Sequence, residues 1–147
     1  GRPDMAYFKF TKAIIKNKKI DVYNKGKMYR DFTFIDDVTK SIELLLNKIP
    51  KNNSINKLKN DSISNVAPFR IVNIGNQKKI YLNNFIKTIE INLQKRANKN
   101  YISMQKGDVV STLSDTKLLK SITNYNPQTS YKLGIKKFVE WFRDYYK

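Results

Sequence analysis

Ile20-Asp21-Val22-Tyr23-Asn24-Lys25-Gly26-Lys27-Met28-Tyr29-Arg30-Asp31-Phe32-Thr33-Phe34-Ile35-Asp36-Asp37 is the stretch that decides how this 147-residue chain is read. Ile20 to Tyr23 alternates apolar and polar side chains like a short strand, and Met28 to Phe34 forms a second extended run. Between them Asn24 to Lys27 carries a glycine among turn-forming residues, so the pattern predicts a hairpin. Asp36 and Asp37 then place negative charge where the unpaired amides of a first helical turn favour it. Val38, Ile42, Leu45 and Leu46 supply that helix with one apolar stripe, which runs out at Lys48 and Pro50.

Outward from this core the same alternation of short strands and amphipathic helices continues. Upstream, Pro3 and Asp4 suit a helix start, and Met5, Phe8, Ile14 and Ile15 carry the helix to about Lys16. Downstream, residues 51–68 turn polar and rich in Asn, Lys and Ser, which predicts a variable surface loop inside the domain. Arg70 to Gly75 reads as a strand, and Leu82, Phe85, Ile86, Ile89 and Leu93 mark a strongly amphipathic helix. An extended piece from Tyr101 to Met104 leads to a turn at Lys106-Gly107-Asp108. A small helix around Leu118, Leu119 and Ile122 follows, and then a last one with Ile135, Phe138, Val139, Phe142 and Tyr146 on one face. The expectation is an α+β lobe, residues 1–147 forming one domain of a few short strands and about five helices.

Composition narrows the chemistry. The chain has no Cys and no His, which removes disulfides, thiolate metal sites and the usual neutral-pH proton shuttle, and no metal site is expected. The missing Cys are compatible with a reducing, cytoplasmic setting. No apolar run approaches the ~20 residues of a membrane span, so no membrane partner is expected. Twenty-nine Lys and Arg against twelve Asp and Glu give a net charge of +17, which raises nucleic acid as a partner. The lysines are scattered among Asn, Ile and Tyr, however, and a solvated lysine surface without specific nucleic-acid binding is the expectation.

Few motifs carry chemistry. Tyr23 and Lys27 match the Tyr-x-x-x-Lys spacing that sets a phenol and an ammonium one helical turn apart, but a Gly-containing turn after a strand does not put them on one helix face. The five glycines stand at 1, 26, 75, 107 and 134, too far apart for a Gly-rich phosphate turn, so no dinucleotide site is expected within the chain. Arg30, in an extended run, suits a bidentate grip on phosphate or an ion pair with Asp31 or Asp36. Asp36 and Asp37 read as a helix start, Tyr23 as a core or ring-stacking aromatic, and Gly107-Asp108 as a turn or as a carboxylate offered to a sugar diol.

Taken in order, Gly1-Arg2-Pro3-Asp4-Met5-Ala6, Ile20 to Asn24, Arg30-Asp31-Phe32-Thr33-Phe34-Ile35-Asp36-Asp37, Arg70-Ile71-Val72-Asn73-Ile74-Gly75-Asn76, Gln105-Lys106-Gly107-Asp108-Val109 and Trp141-Phe142-Arg143-Asp144 resemble the second half of the UDP-glucuronate 4-epimerases. These belong to the extended short-chain dehydrogenase/reductases. The resemblance covers nearly the whole chain except the variable stretch from Lys51 to Val66. It implies that NAD, the catalytic Tyr-x-x-x-Lys pair and a catalytic Ser or Thr belong to an N-terminal Rossmann half absent from this sequence, so no catalytic or cofactor-binding residue is expected here and the isolated chain should be inactive. It further implies that this lobe closes over a UDP-sugar, with Arg30 on the diphosphate, the backbone at Asp21 and Tyr23 on the uracil, Asp108 on ribose hydroxyls and Arg2 on the sugar carboxylate. Gln105 stands where relatives often have Arg, as the second phosphate contact. A homodimeric complete enzyme is implied too. A sugar-nucleotide dehydratase or decarboxylase lobe and a basic nucleic-acid module are the other readings.

Overall fold

The computed structural model describes residues 2–51 and 61–146. In chain order the elements are α1 (Ala6–Ile15), β1 (Lys19–Val22), a 3-10 turn (Tyr23–Gly26), β2 (Tyr29–Asp31), α2 (Ile35–Leu46), β3 (Lys79–Tyr81), α3 (Leu82–Leu93), β4 (Asn98–Tyr101), α4 (Lys117–Thr123) and α5 (Tyr131–Tyr145). They fall into two compact units, one built from Gly1–Arg30, Lys79–Thr112 and Ser130–Lys147, the other from Asp31–Lys78 and Leu113–Thr129.

The first unit is organised by α3. Its apolar stripe, Phe85, Ile86, Ile89 and Leu93, is buried, as are Phe8 and Ile14 of α1 and Ile135, Val139 and Phe142 of α5. Each such side chain contributes roughly 1.5–3 kcal/mol relative to exposure. Phe8 meets Phe142 edge to face at a centroid distance of 5.1 Å, and Arg143 Nη2 donates to Leu93 O at 2.8 Å, satisfying a carbonyl that the end of α3 leaves open. Glu90 ties α3 to β4: it accepts from Ala97 N at 2.9 Å and pairs with Lys99 at 3.0 Å. Burial pushes its carboxyl up, but these bonds outweigh burial and hold it below the usual glutamate range.

The expected hairpin is not formed. β1 pairs in parallel with β4, with Asp21 opposite Asn100, while β2 pairs with β3. The cause lies in residues 24–26: Asn24 (φ 49°), Lys25 (φ 51°) and Gly26 (φ 78°) all adopt left-handed backbone, which carries the chain away from β1 instead of folding it back. Only glycine suits the last of these, because a Cβ there would lie 2.4 Å from Asn83 Nδ2. Gly26→Ala is therefore expected to cost about 1–2 kcal/mol in folding free energy, read as a lowered urea midpoint at unchanged slope. An unchanged midpoint would show that Asn83 yields freely and that the turn is not strained. α1 also begins later than the sequence suggests, at Ala6, because Arg2 and Asp4 engage each other and Met5 N closes a turn onto Arg2 O at 3.1 Å.

In the second unit α2 packs on α4, with Ser41 and Leu119 fully buried. Asp37, expected only to open a helix, is buried and accepts from Tyr125 Oη at 2.7 Å and from the amides of Thr129 and Gln128 at 2.8 and 3.2 Å. Asp31 accepts the amides of Gln77 and Ser114 at 3.0 and 3.1 Å and the Ser114 hydroxyl. Of the polar 51–68 stretch, residues 52–60 lie outside the described residues; its described end is pinned by Asp61, which takes Arg70 Nε and Nη2 at 2.9 and 3.0 Å. Arg70 to Gly75, read from the sequence as a strand, is not one: no strand of the described residues lies beside it.

Candidate functional site

Among the residues singled out from the sequence, the structure brings Arg30, Gln105 and Asp108 together. Tyr29 N donates to Val110 O at 2.8 Å and Thr112 N donates to Tyr29 O at 3.2 Å, so β2 runs beside the segment that follows the Gln105–Asp108 turn. That turn closes through Asp108 N on Gln105 O at 3.2 Å, over a left-handed Gly107 (φ 81°). Arg30 Nη2 consequently reaches Asp108 Oδ1 at 2.7 Å, and Nη1 reaches the carbonyls of Tyr29 and Val110 at 2.8 and 3.5 Å.

Asp108 Oδ1 also accepts from Val109 N at 2.8 Å, so both of these bonds fall on one oxygen. The two side chains are 27% and 33% exposed, which is enough for a solute to touch them and too much for the pair to add more than ~1 kcal/mol to the fold. Arg30 keeps N–H donors beyond those spent on its protein partners. A guanidinium with spare donors beside an oriented carboxylate can hold a phosphate with the first and hydroxyl groups with the second.

β1 pairs with β4, from which the chain runs on toward the Gln105–Asp108 turn. Its Asp21 carboxylate is occupied by Asn100 Nδ2 at 2.7 Å. Val22 O accepts from Ile102 N at 3.2 Å, toward β4, and since neighbouring residues of a strand direct their amide and carbonyl to opposite edges, the backbone groups of Asp21 point to the other edge. No strand of the described residues pairs with that edge. Tyr23 begins the 3-10 turn with a partly exposed ring, and with left-handed Asn24 and Lys25 between them Tyr23 and Lys27 share no α-helical face. Arg2 stands apart. Its guanidinium pairs with Asp4 at 2.8 Å, both side chains well exposed, and the hydrogen bond raises the arginine pKa and lowers that of the aspartate.

Two neighbours escaped the sequence reading. Tyr81 packs its ring 5.3 Å from that of Tyr29, next to Arg30, and the Asn83 amide lies against Gly26 with its buried Oδ1 unpartnered among the described residues. Nothing in the local sequence marks either, since each is defined by what the fold sets beside it. Among the described residues there is no group of three or more metal-ligating side chains, and no helix is long and apolar enough to cross a membrane.

The described elements, four short strands and five α-helices, make up an α+β fold. No protein-family model matches the sequence. A probable UDP-glucuronate 4-epimerase of Rhizobium meliloti is 40% identical over 100% of this chain and 44% of its own length. Protein CapI of Staphylococcus aureus is 43% identical over the same shares, and UDP-glucuronate 4-epimerase 4 of Arabidopsis thaliana is 37% identical over 99% of this chain and 33% of its own length. Among solved structures, the UDP-glucuronic acid 4-epimerase of Bacillus cereus in complex with UDP-glucuronic acid and NAD superimposes with a TM-score of 0.79 at 23% identity, over 99% of this chain and 41% of that one. The chain is thus similar over its whole length to the C-terminal part of proteins named as UDP-glucuronate 4-epimerases, and it spans less than half the length of these relatives.

Proposed function

We propose that this chain is the substrate-binding part of a nucleotide-sugar epimerase that interconverts UDP-glucuronate and UDP-galacturonate. The observation that carries the reading is the match over the whole chain, at up to 40% identity, to proteins named as UDP-glucuronate 4-epimerases. Bound NAD would supply the chemistry, reversible hydride exchange with C4 of the sugar, while a base on the polypeptide beyond this chain would take and return the C4 hydroxyl proton. This sequence has no Gly-rich phosphate turn, so the reading assigns NAD to polypeptide beyond it.

The lobe's own work is to bind and orient. Arg30 holds the diphosphate, Gln105 on the neighbouring turn adds an amide donor, and Asp108 accepts from ribose hydroxyls. The free backbone edge at Asp21, continuing to Tyr23, reads the uracil by hydrogen bonds. The 2.7 Å Arg30–Asp108 pair and the edge of β1 with which no strand of the described residues pairs support these roles. Arg2 takes the sugar carboxylate, exchanging its exposed Asp4 partner for it at little cost. The complete enzyme is read as a cytoplasmic homodimer, following the resemblance.

The test is to join this chain to the remaining part of the Rhizobium meliloti relative and assay both UDP-sugars. Interconversion by the joined protein, with none by the isolated chain, is expected; turnover by the isolated chain, or none by a folded NAD-binding chimera, overturns the reading. In the active chimera Arg2→Ala should lower kcat/KM for UDP-glucuronate by at least ~10-fold while sparing UDP-glucose and UDP-galactose. Equal losses on acidic and neutral sugars would remove Arg2 from the carboxylate and point to a neutral-sugar epimerase or a dehydratase.

A further inference from the structure

The net charge is not shared evenly along the chain. The first unit, which holds every residue assigned above to the UDP-sugar, carries twenty Lys and Arg against six Asp and Glu, which is +14 of the +17. The second unit carries nine against six. A solvated lysine surface accounts for the excess but gives no reason for its concentration in one unit.

The proposed substrate contacts do not use this charge. Arg30 is matched by Asp108 at 2.7 Å and Arg2 by Asp4 at 2.8 Å, Asp21 adds a further carboxylate, and Gln105 is uncharged. With these partners the assigned side chains sum to one negative charge. UDP-glucuronate carries about three negative charges at neutral pH, roughly two on the diphosphate and one on the carboxylate. Such a ligand meets a contact set that is slightly repulsive in sum, so attraction at a distance has to come from other groups.

Lys25, Lys27 and Lys106 are placed to supply it. Lys25 and Lys27 lie on the turn that follows β1, between the strand edge proposed for the uracil and Arg30, and Lys106 lies on the Gln105–Asp108 turn that follows β4. β1 and β4 run parallel, and Lys25 N donates to Ile102 O at 3.3 Å, so both turns leave the same end of this strand pair. All three side chains are exposed, and no ammonium of the three is held by another described residue. Charges on flexible stems without a fixed partner do not position a ligand; they raise the potential over the site.

We infer that Lys25, Lys27 and Lys106 form a cationic rim that steers polyanionic nucleotide sugars into the site and favours a nucleotide uronate over a neutral nucleotide hexose by its rate of association. The rim acts on the approaching anion over about one Debye length, ~10 Å at 0.1 M salt, and leaves the bound complex to Arg30 and its neighbours. The preference follows from charge alone, since a uronate presents roughly three negative charges to the rim where a hexose presents two. This rests on the reading that the chain binds a UDP-sugar as part of a longer epimerase.

The experiment uses the chimera with the Rhizobium meliloti relative and measures association and dissociation rates of UDP-glucuronate and UDP-galactose by stopped flow. With Lys25→Gln, Lys27→Gln and Lys106→Gln combined, association at ~0.1 M salt should slow ~5-fold for UDP-glucuronate and ~3-fold for UDP-galactose, with dissociation unchanged. At ~1 M salt, where the Debye length is ~3 Å, variant and parent should agree. The control removes equal charge from the other end of the strand pair. Lys16→Gln, Lys18→Gln and Lys19→Gln combined lie before or at the start of β1, ~13 Å of strand away, and should leave association unchanged at ~0.1 M salt. Lys106→Gln alone, on a turn with open space at Gly107, should slow UDP-glucuronate ~2-fold and decides the matter should the combined variant not fold. An equal fall in the control, equal falls for the two sugars, or faster dissociation at unchanged association each overturns the rim. Turnover with rates that ignore the three lysines overturns this inference alone. A folded chimera that does not bind UDP-glucuronate overturns the functional reading beneath it.

Discussion

In the complete epimerase proposed above, Arg30→Lys is expected to weaken UDP-glucuronate binding by ~30-fold or more while leaving NAD affinity unchanged. The positive charge survives the substitution, so the loss reports geometry. A guanidinium presents a planar fork that meets two phosphate oxygens at once, whereas an ammonium offers a point charge on a flexible stem. In this structure the fork is already oriented by Asp108 at 2.7 Å and by the Tyr29 carbonyl at 2.8 Å, and a Lys at the same site cannot reproduce both contacts. A charge-assisted bidentate contact of this kind is worth on the order of 2 kcal/mol, which is the ~30-fold quoted. Calorimetric titration with UDP-glucuronate and NAD separately decides it. Because the pair is about 30% exposed and worth little to the fold, stability should fall by less than ~1 kcal/mol. If instead the lobe unfolds, and binding per folded molecule is unchanged, Arg30 serves the fold and the proposed phosphate contact is lost.

What the sequence made legible follows from the range of each signal. The helices α3 and α5 were readable because their apolar residues repeat at helical spacing over several turns, and that signal is local. The pairing of strands was not, because Ile20-Asp21-Val22 alternates in the same way whether its neighbour is the next strand or one that begins at Asn98. Two consecutive left-handed residues that are not glycine, Asn24 and Lys25, then decide the topology against the hairpin, and their identity alone does not announce it. Arg70 to Gly75 shows the converse. Its alternation led to a strand being expected, but a strand needs a partner, and none of the described strands supplies one. At the candidate site the residue types were legible one at a time. That Arg30 and Asp108 would meet across 78 positions was not, since sequence spacing carries no information on contacts made through a sheet.

Asp37 gives the largest expected effect on stability. Asp37→Ala should cost about 3–5 kcal/mol, because it leaves the Tyr125 hydroxyl and the amides of Gln128 and Thr129 without their acceptor in a buried site, at roughly 1–3 kcal/mol for each orphaned donor and with partial relief from entering water. Tyr125→Phe, which removes one donor and keeps the two amides, should cost about 1–2 kcal/mol. The same cluster sets a pH dependence with a sign at each end. Burial pushes the Asp37 carboxyl up, but the bonds from Tyr125, Thr129 and Gln128 outweigh it and leave it lowered. A lowered carboxyl contributes stability that is fully present above its unfolded pKa of about 3.9 and is lost as pH falls through the folded value. Tyr125 is pushed up to about 12, first by burial and then by the neighbouring carboxylate. A raised phenol contributes stability that is fully present below its unfolded pKa of about 10 and is lost as pH rises from there toward about 12. Urea unfolding followed by exchange of the α2 and α4 amides should therefore show a plateau between pH ~5 and ~9 with a fall on each side. Tyr125→Phe should flatten the alkaline fall and shift the acid one to higher pH. A cost for Asp37→Ala below ~1 kcal/mol, with both falls intact, would mean that water replaces the carboxylate and that the cluster does not hold the second unit together.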